Sequence, residues 1–136
     1  MRITYTNDKG GVSVVVPSPN WAGTMEELAV KVVPENEPYK IVEDSAVPTD
    51  RTFRDAWENY ESITTSLVKA KELTKTRLRG ERKPLLEAQD VLFMKAQESS
   101  GDTAAIVIEK QRLRDVPAQA DSASTLDELK GLNVNG

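Results

Sequence analysis

The chain has 136 residues, of which 38% are hydrophobic and only 5% aromatic, and its formal net charge is −4. It contains no Cys and no His, which excludes disulfides and thiolate chemistry and removes the commonest general base and metal ligand. The negative balance gives no overall drive toward nucleic acid or a membrane surface, and no apolar run approaches the length of a membrane span.

Arg2 to Thr6 alternates polar and β-favouring residues, and Val12 to Val16 is a β-branched run around Ser13. Between them, Asn7-Asp8-Lys9-Gly10-Gly11 is turn chemistry, so the two runs predict a β-hairpin. No helix follows Gly10-Gly11, so these glycines serve a turn rather than a phosphate cradle. Pro17 and Pro19 end the second strand, and Trp21 falls in the loop beyond. Thr24-Met25-Glu26-Glu27 is a capping box that starts a helix to about Val32. Met25, Leu28, Ala29 and Val32 make its apolar face, and Pro34 stops it. Tyr39 to Glu43 reads as a third strand. The head, residues 1–48, is therefore expected to be a ββαβ unit.

From Asp50 onward the expectation is helix. Phe53 and Trp57 stand as i, i+4 neighbours, and Ser62 is placed to cap a second helix carrying Ile63, Leu67, Ala70 and Thr74. Gly80 weakens that pattern, and Pro84 is expected to kink the helix or start a new one. Leu85, Leu86, Ala88, Val91, Leu92, Phe93 and Ala96 form the richest apolar patch. Ser99-Ser100-Gly101-Asp102 is a turn, and a helix from Thr103 to about Asp115 follows, with Ala104, Ala105, Val107, Ile108 and Leu113 as its core candidates. The two helices predict an antiparallel αα-hairpin. Residues 50–117 thus form a helical region. Residues 118–136 read as a small-residue linker and a short capped helix at Thr125-Leu126-Asp127-Glu128, lined by Leu126, Leu129 and Leu132. The fold class is α+β: a small N-terminal ββαβ head followed by a mostly helical region.

Candidate chemistry is sparse. Glu26/Glu27, Glu43/Asp44 and Asp127/Glu128 lack the loop spacing of a calcium site and read as caps and solvated surface. No catalytic, cofactor or metal residues are assigned. Lys69, Lys71, Lys75, Arg77, Arg79, Arg82 and Lys83 form a basic run opposed only by Glu72 and Glu81. No aromatics interleave with it, so stacking platforms for bases are missing, and the run reads first as a solvated helix surface or as a source of salt bridges to acidic faces of neighbouring copies. A small nucleic-acid-binding regulator using Lys69–Lys83 is the alternative reading. The favoured one is partner binding through Trp21, Phe53, Trp57, Leu85, Leu92, Phe93, Ile108, Leu126 and Leu129. Residues 1–50 hold four basic and eight acidic side chains, against ten and eight in residues 51–100, so copies of the chain are candidate partners too.

Several segments carry a family resemblance. They are Asp50-Arg51-Thr52-Phe53-Arg54-Asp55-Ala56-Trp57, the stretch from Arg77-Leu78-Arg79 to Pro84-Leu85-Leu86, Gln89-Asp90-Val91-Leu92-Phe93-Met94, Gly101-Asp102-Thr103, and Lys110-Gln111-Arg112-Leu113-Arg114-Asp115-Val116-Pro117. Together they resemble small tailed-bacteriophage proteins of the tail assembly chaperone or tail-fibre-assembly-like kind, over roughly residues 50–131. The resemblance implies a non-enzymatic role, either as a connector in the virion tail, fibre or baseplate or as an assembly chaperone. It implies phage tail or tail-fibre structural proteins as partners, and the host cytoplasm or the virion tail as the location. It names no catalytic residues.

Overall fold

The computed structural model describes residues 1–135. The chain divides into two compact units, Met1–Ser66 and Leu67–Gly136. The fold is α+β, with a small antiparallel sheet near the N-terminus and a mostly helical remainder.

In the first unit, β1 (Arg2–Thr6), β2 (Val12–Val15) and β3 (Tyr39–Val42) form an antiparallel sheet in the order β2-β1-β3. The β1–β2 turn closes as its sequence requires. Asn7 Oδ1 accepts from the amides of Lys9 at 3.0 Å and Gly11 at 2.9 Å, and Gly10 takes the left-handed φ of 80° that its missing Cβ permits. Helix α1 (Met25–Val32) has the full capping box: Thr24 Oγ1 accepts from the Glu27 amide at 3.1 Å, and Glu27 Oε2 accepts from the Thr24 amide at 3.0 Å. Leu28 and Ala29 are buried and Met25 is half-buried, but Val32 is exposed and Val33 packs in its place.

Strand alternation sends the sheet's side chains to two faces. Ile3, Val15 and Ile41, which are register partners, meet Leu28 and Ala29 of α1. Val12, Val14 and Val42 point the other way, onto Val47, Trp57, Tyr60 and Ile63. This second cover corrects two expectations. The head does not end at residue 48, because without residues 49–66 the Val12/Val14/Val42 face would stand in water. Nor are residues 50–66 helical. Arg54–Ala56 is one 3-10 turn, and Trp57–Glu58 (β4) pairs antiparallel with Thr64–Thr65 (β5). The i, i+4 spacing of Phe53 and Trp57 imitates a helix, but the demand of an uncovered sheet face overrides local pattern.

In the second unit, α2 (Leu67–Glu98) is one helix of 32 residues, roughly 48 Å long. The break expected at Gly80–Pro84 does not occur. The carbonyl that Pro84 cannot satisfy is that of Gly80, four residues back, and both residues are exposed, so water can take that bond. After the turn, α3 (Ala104–Asp115) returns antiparallel: Lys110 Nζ meets Asp90 at 2.6 Å while Arg82 reaches the Arg114 carbonyl at 2.7 Å. The hairpin is as expected, but of α3 only Leu113 is buried; Ala104, Ala105, Val107 and Ile108 are exposed. Residues 116–122 are not a linker. They form a 3-10 segment with Val116, Pro117 and Ala120 buried, and small side chains let it lie close on α2. Helix α4 (Leu126–Gly131) follows, capped by Thr125 Oγ1, which accepts from the Glu128 amide at 3.2 Å.

Candidate interaction surfaces

The sequence-derived interface residues separate by burial. Phe53, Trp57 and Leu129 lie inside their own units, at 7%, 1% and 0% exposure, and cannot anchor a partner without unfolding. The terminal helix is therefore folded back onto α2 of its own chain, not offered to a neighbour. Trp21 is half-buried against the Ile3/Leu28/Ala29 cluster. Its indole N–H donates to the Thr24 carbonyl at 3.0 Å, and the Lys31 ammonium stands 5.0 Å from its ring centre. A Cβ at Gly23 would come within 2.4 Å of Glu27 Oε2 and 2.7 Å of the indole, so a larger residue there would displace the carboxylate and press on the ring. Trp21 is thus an internal strut of the α1 cap. Leu126 is half-buried. Phe93 is half-buried too, with the Lys110 ammonium 5.2 Å from its ring centre.

Leu85, Leu92 and Ile108 remain exposed. On α2, Leu85, Ala88 and Leu92 follow i, i+3, i+7 spacing and so share one face. Val91 and Met94 are exposed on the adjoining surface, and Val107 accompanies Ile108 on α3. The reason is layering. The buried residues of α2 are Ala70, Thr74 and Leu78, in the half where the 3-10 segment and α4 contribute cover. Beyond Leu78 no residue of α2 is buried, and Leu86, Phe93 and Ala96 are only half-buried, since within the second unit α3 is the helix packed alongside there.

Much of the basic run is engaged within its own chain. Arg77 Nη2 donates to the carbonyls of Leu129 at 3.3 Å and Leu132 at 2.7 Å, satisfying the C-terminal end of α4. Arg82 Nη1 does the same for α3, through Leu113 at 3.4 Å and Arg114 at 2.7 Å. Lys71 Nζ donates to the Asp121 carbonyl at 3.2 Å, while Lys75 Nζ pairs with the Asp121 carboxylate at 2.6 Å and with Glu72 at 3.3 Å. The hydrogen bond to Asp121, aided by Glu72, raises the Lys75 pKa above its ordinary value. Arg112, outside the run, completes the set by donating to the Val134 carbonyl at 2.7 Å while held by Glu109. That same guanidinium lowers the Glu109 pKa.

Arg79 and Lys83 make no hydrogen bond or ion pair among the described residues. Arg79 instead lines a cleft of about 260 Å³ together with Lys75, Arg82, Arg114 and Asp121. Sequence reasoning missed Arg114 here. The signal that could have found it was the antiparallel hairpin, which returns the end of α3 to the middle of α2.

The carboxylate pairs behave as caps and surface. Glu27 and Glu128 accept from backbone amides at helix starts, and Asp44 lies 3.5 Å from Arg2 Nε. Among the described residues no group of three or more potential metal ligands gathers, and no helix is long and apolar enough to cross a membrane. Comparison with protein-family models, with curated proteins and with solved structures returns no match for this chain.

Proposed function

We propose that this chain is a non-enzymatic component of a tailed-phage tail or of its assembly, working through protein–protein contacts as a virion connector or as an assembly chaperone. The observation that carries the contact reading is the uncovered apolar surface of the α2–α3 hairpin, with Leu92 48% and Ile108 70% exposed. Exposed apolar side chains on two neighbouring helices are covered by another protein's helix or sheet. The phage assignment is supported by the sequence resemblance over roughly residues 50–131. The nucleic-acid alternative loses support, because Lys71, Lys75, Arg77 and Arg82 are engaged by the chain's own carbonyls and carboxylates.

Quantitative mass spectrometry of purified virions, run beside affinity capture of the tagged chain co-expressed with the tail genes, tests the reading. Stoichiometric presence in virions identifies a connector. Capture of a tail or fibre protein with absence from virions identifies a chaperone. Leu92→Asp together with Ile108→Asp should abolish capture without changing the circular dichroism spectrum. Absence from virions combined with no captured tail protein overturns the proposal.

A further inference from the structure

The cleft on the second unit holds more positive charge than its surroundings offset. Lys75, Arg79, Arg82 and Arg114 line it against the single carboxylate of Asp121, although the whole chain carries −4. Asp121 is already engaged by Lys75 at 2.6 Å. Arg82 uses one nitrogen on two carbonyls. The side chains of Arg79 and Arg114 have no hydrogen bond or ion pair among the described residues. Cations that line one cleft repel one another, and a seated oxyanion relieves that repulsion. A planar guanidinium presents paired donors that match a carboxylate bidentately.

The first unit carries the complement. It holds six basic and eleven acidic side chains. Among them, Pro34-Glu35-Asn36-Glu37-Pro38 is a fixed turn: the Glu37 amide donates to the Pro34 carbonyl at 3.1 Å, Asn36 takes a left-handed φ of 68°, and prolines hold both flanks. Glu35 and Glu37 are exposed, and neither carboxylate has a partner among the described residues. Val30 and Tyr39, 82% and 40% exposed, line the same surface depression as this turn and supply apolar area for a docked neighbour to cover.

We propose that the Glu35–Glu37 turn of one copy docks its carboxylates on Arg79 and Arg114 of a second copy. Turn and cleft are two different patches, so the contact is heterologous and copies add head to tail into a ring or a filament. The inference does not depend on the phage reading.

Sedimentation of the purified full chain tests it. The wild type should associate with rising concentration at low ionic strength, and association should fade near 1 M salt, where the screening length is about 3 Å. Arg79→Glu with Arg114→Glu, and separately Glu35→Lys with Glu37→Lys, should each weaken association by roughly tenfold or more. All four side chains are exposed and have no partner among the described residues, so both variants should keep the wild-type circular dichroism spectrum. Mixing the two variants should restore association, because every turn then meets a cleft of opposite charge. A wild type that stays monomeric at low salt, or association that survives either pair of substitutions, overturns the proposal. So does a monomer whose cleft binds inorganic phosphate or a short oligonucleotide without self-association, since the cleft then serves another anion.

Discussion

The Arg77 guanidinium reaches the Leu132 carbonyl at 2.7 Å across 55 residues of sequence. A cation placed on one helix satisfies the open end of another, and so helps to hold the C-terminal segment in register beside Arg112, which bonds the Val134 carbonyl. Arg77→Ala removes this bond, the weaker one to Leu129 and an exposed ion pair with Glu81 at 2.8 Å, the last contributing little. The expected cost is about 1–2 kcal/mol, read from urea unfolding, with faster amide exchange confined to α4. Arg79→Ala, two residues on, should change stability by less than about 0.5 kcal/mol. Equal effects from the two substitutions would refute the clamp.

Thr4 plays the corresponding part in the first unit. It is fully buried on β1, and its hydroxyl donates to the Tyr60 carbonyl at 2.7 Å, tying the sheet to the β4–β5 connection. Thr4→Val keeps the shape but leaves that carbonyl without its donor, at an expected cost of about 1–3 kcal/mol. Thr4→Ser should retain most of the stability. Thermal unfolding of the two variants separates hydrogen bonding from packing.

Gly80 and Pro84 make α2 less stable than its length allows. A Cβ at Gly80 meets nothing within 4 Å, and Pro84 is exposed. Gly80→Ala should therefore stabilise by about 1 kcal/mol, and Pro84→Ala by as much as about 3 kcal/mol. An increase in Tm for both is the expected outcome. A decrease for either would mean that the residue serves a contact or conformation that alanine does not supply.

The Lys75–Asp121 pair makes the C-terminal lock sensitive to high pH. The folded-state pKa of Lys75 is raised, mainly by its hydrogen bond to Asp121. Its contribution is thus complete below the ordinary lysine value of about 10.4 and is lost as pH rises through the folded-state value. Stability followed from pH 8 to 12 should fall more steeply in the wild type than in Lys75→Met. Parallel curves would exclude the pair as the cause.

The local signals were legible where side chains act on their own backbone. Thr24 with Glu27, Thr125 with Glu128, and Asn7 through Gly11 each announced a cap or a turn that the structure contains. What could not be read was set at long range. Trp57 is strand because three valines on the far side of the sheet require cover. Residues 118–123 look like a linker because Ala and Ser carry no pattern, yet their small size suits them to lie against α2. The basic run misled for a third reason. Its partners are main-chain carbonyls, which every residue possesses and no sequence pattern marks.

The two tryptophans occupy opposite sides of one sheet, Trp21 with α1 and Trp57 beneath Val12 and Val42, and the second unit has none. Indole fluorescence therefore reports only on Met1–Ser66, whereas the far-ultraviolet helix signal comes chiefly from α2 and α3. The chain carries one optical reporter for each unit. Overlaying the two melting curves will tell directly whether the units unfold together or in sequence.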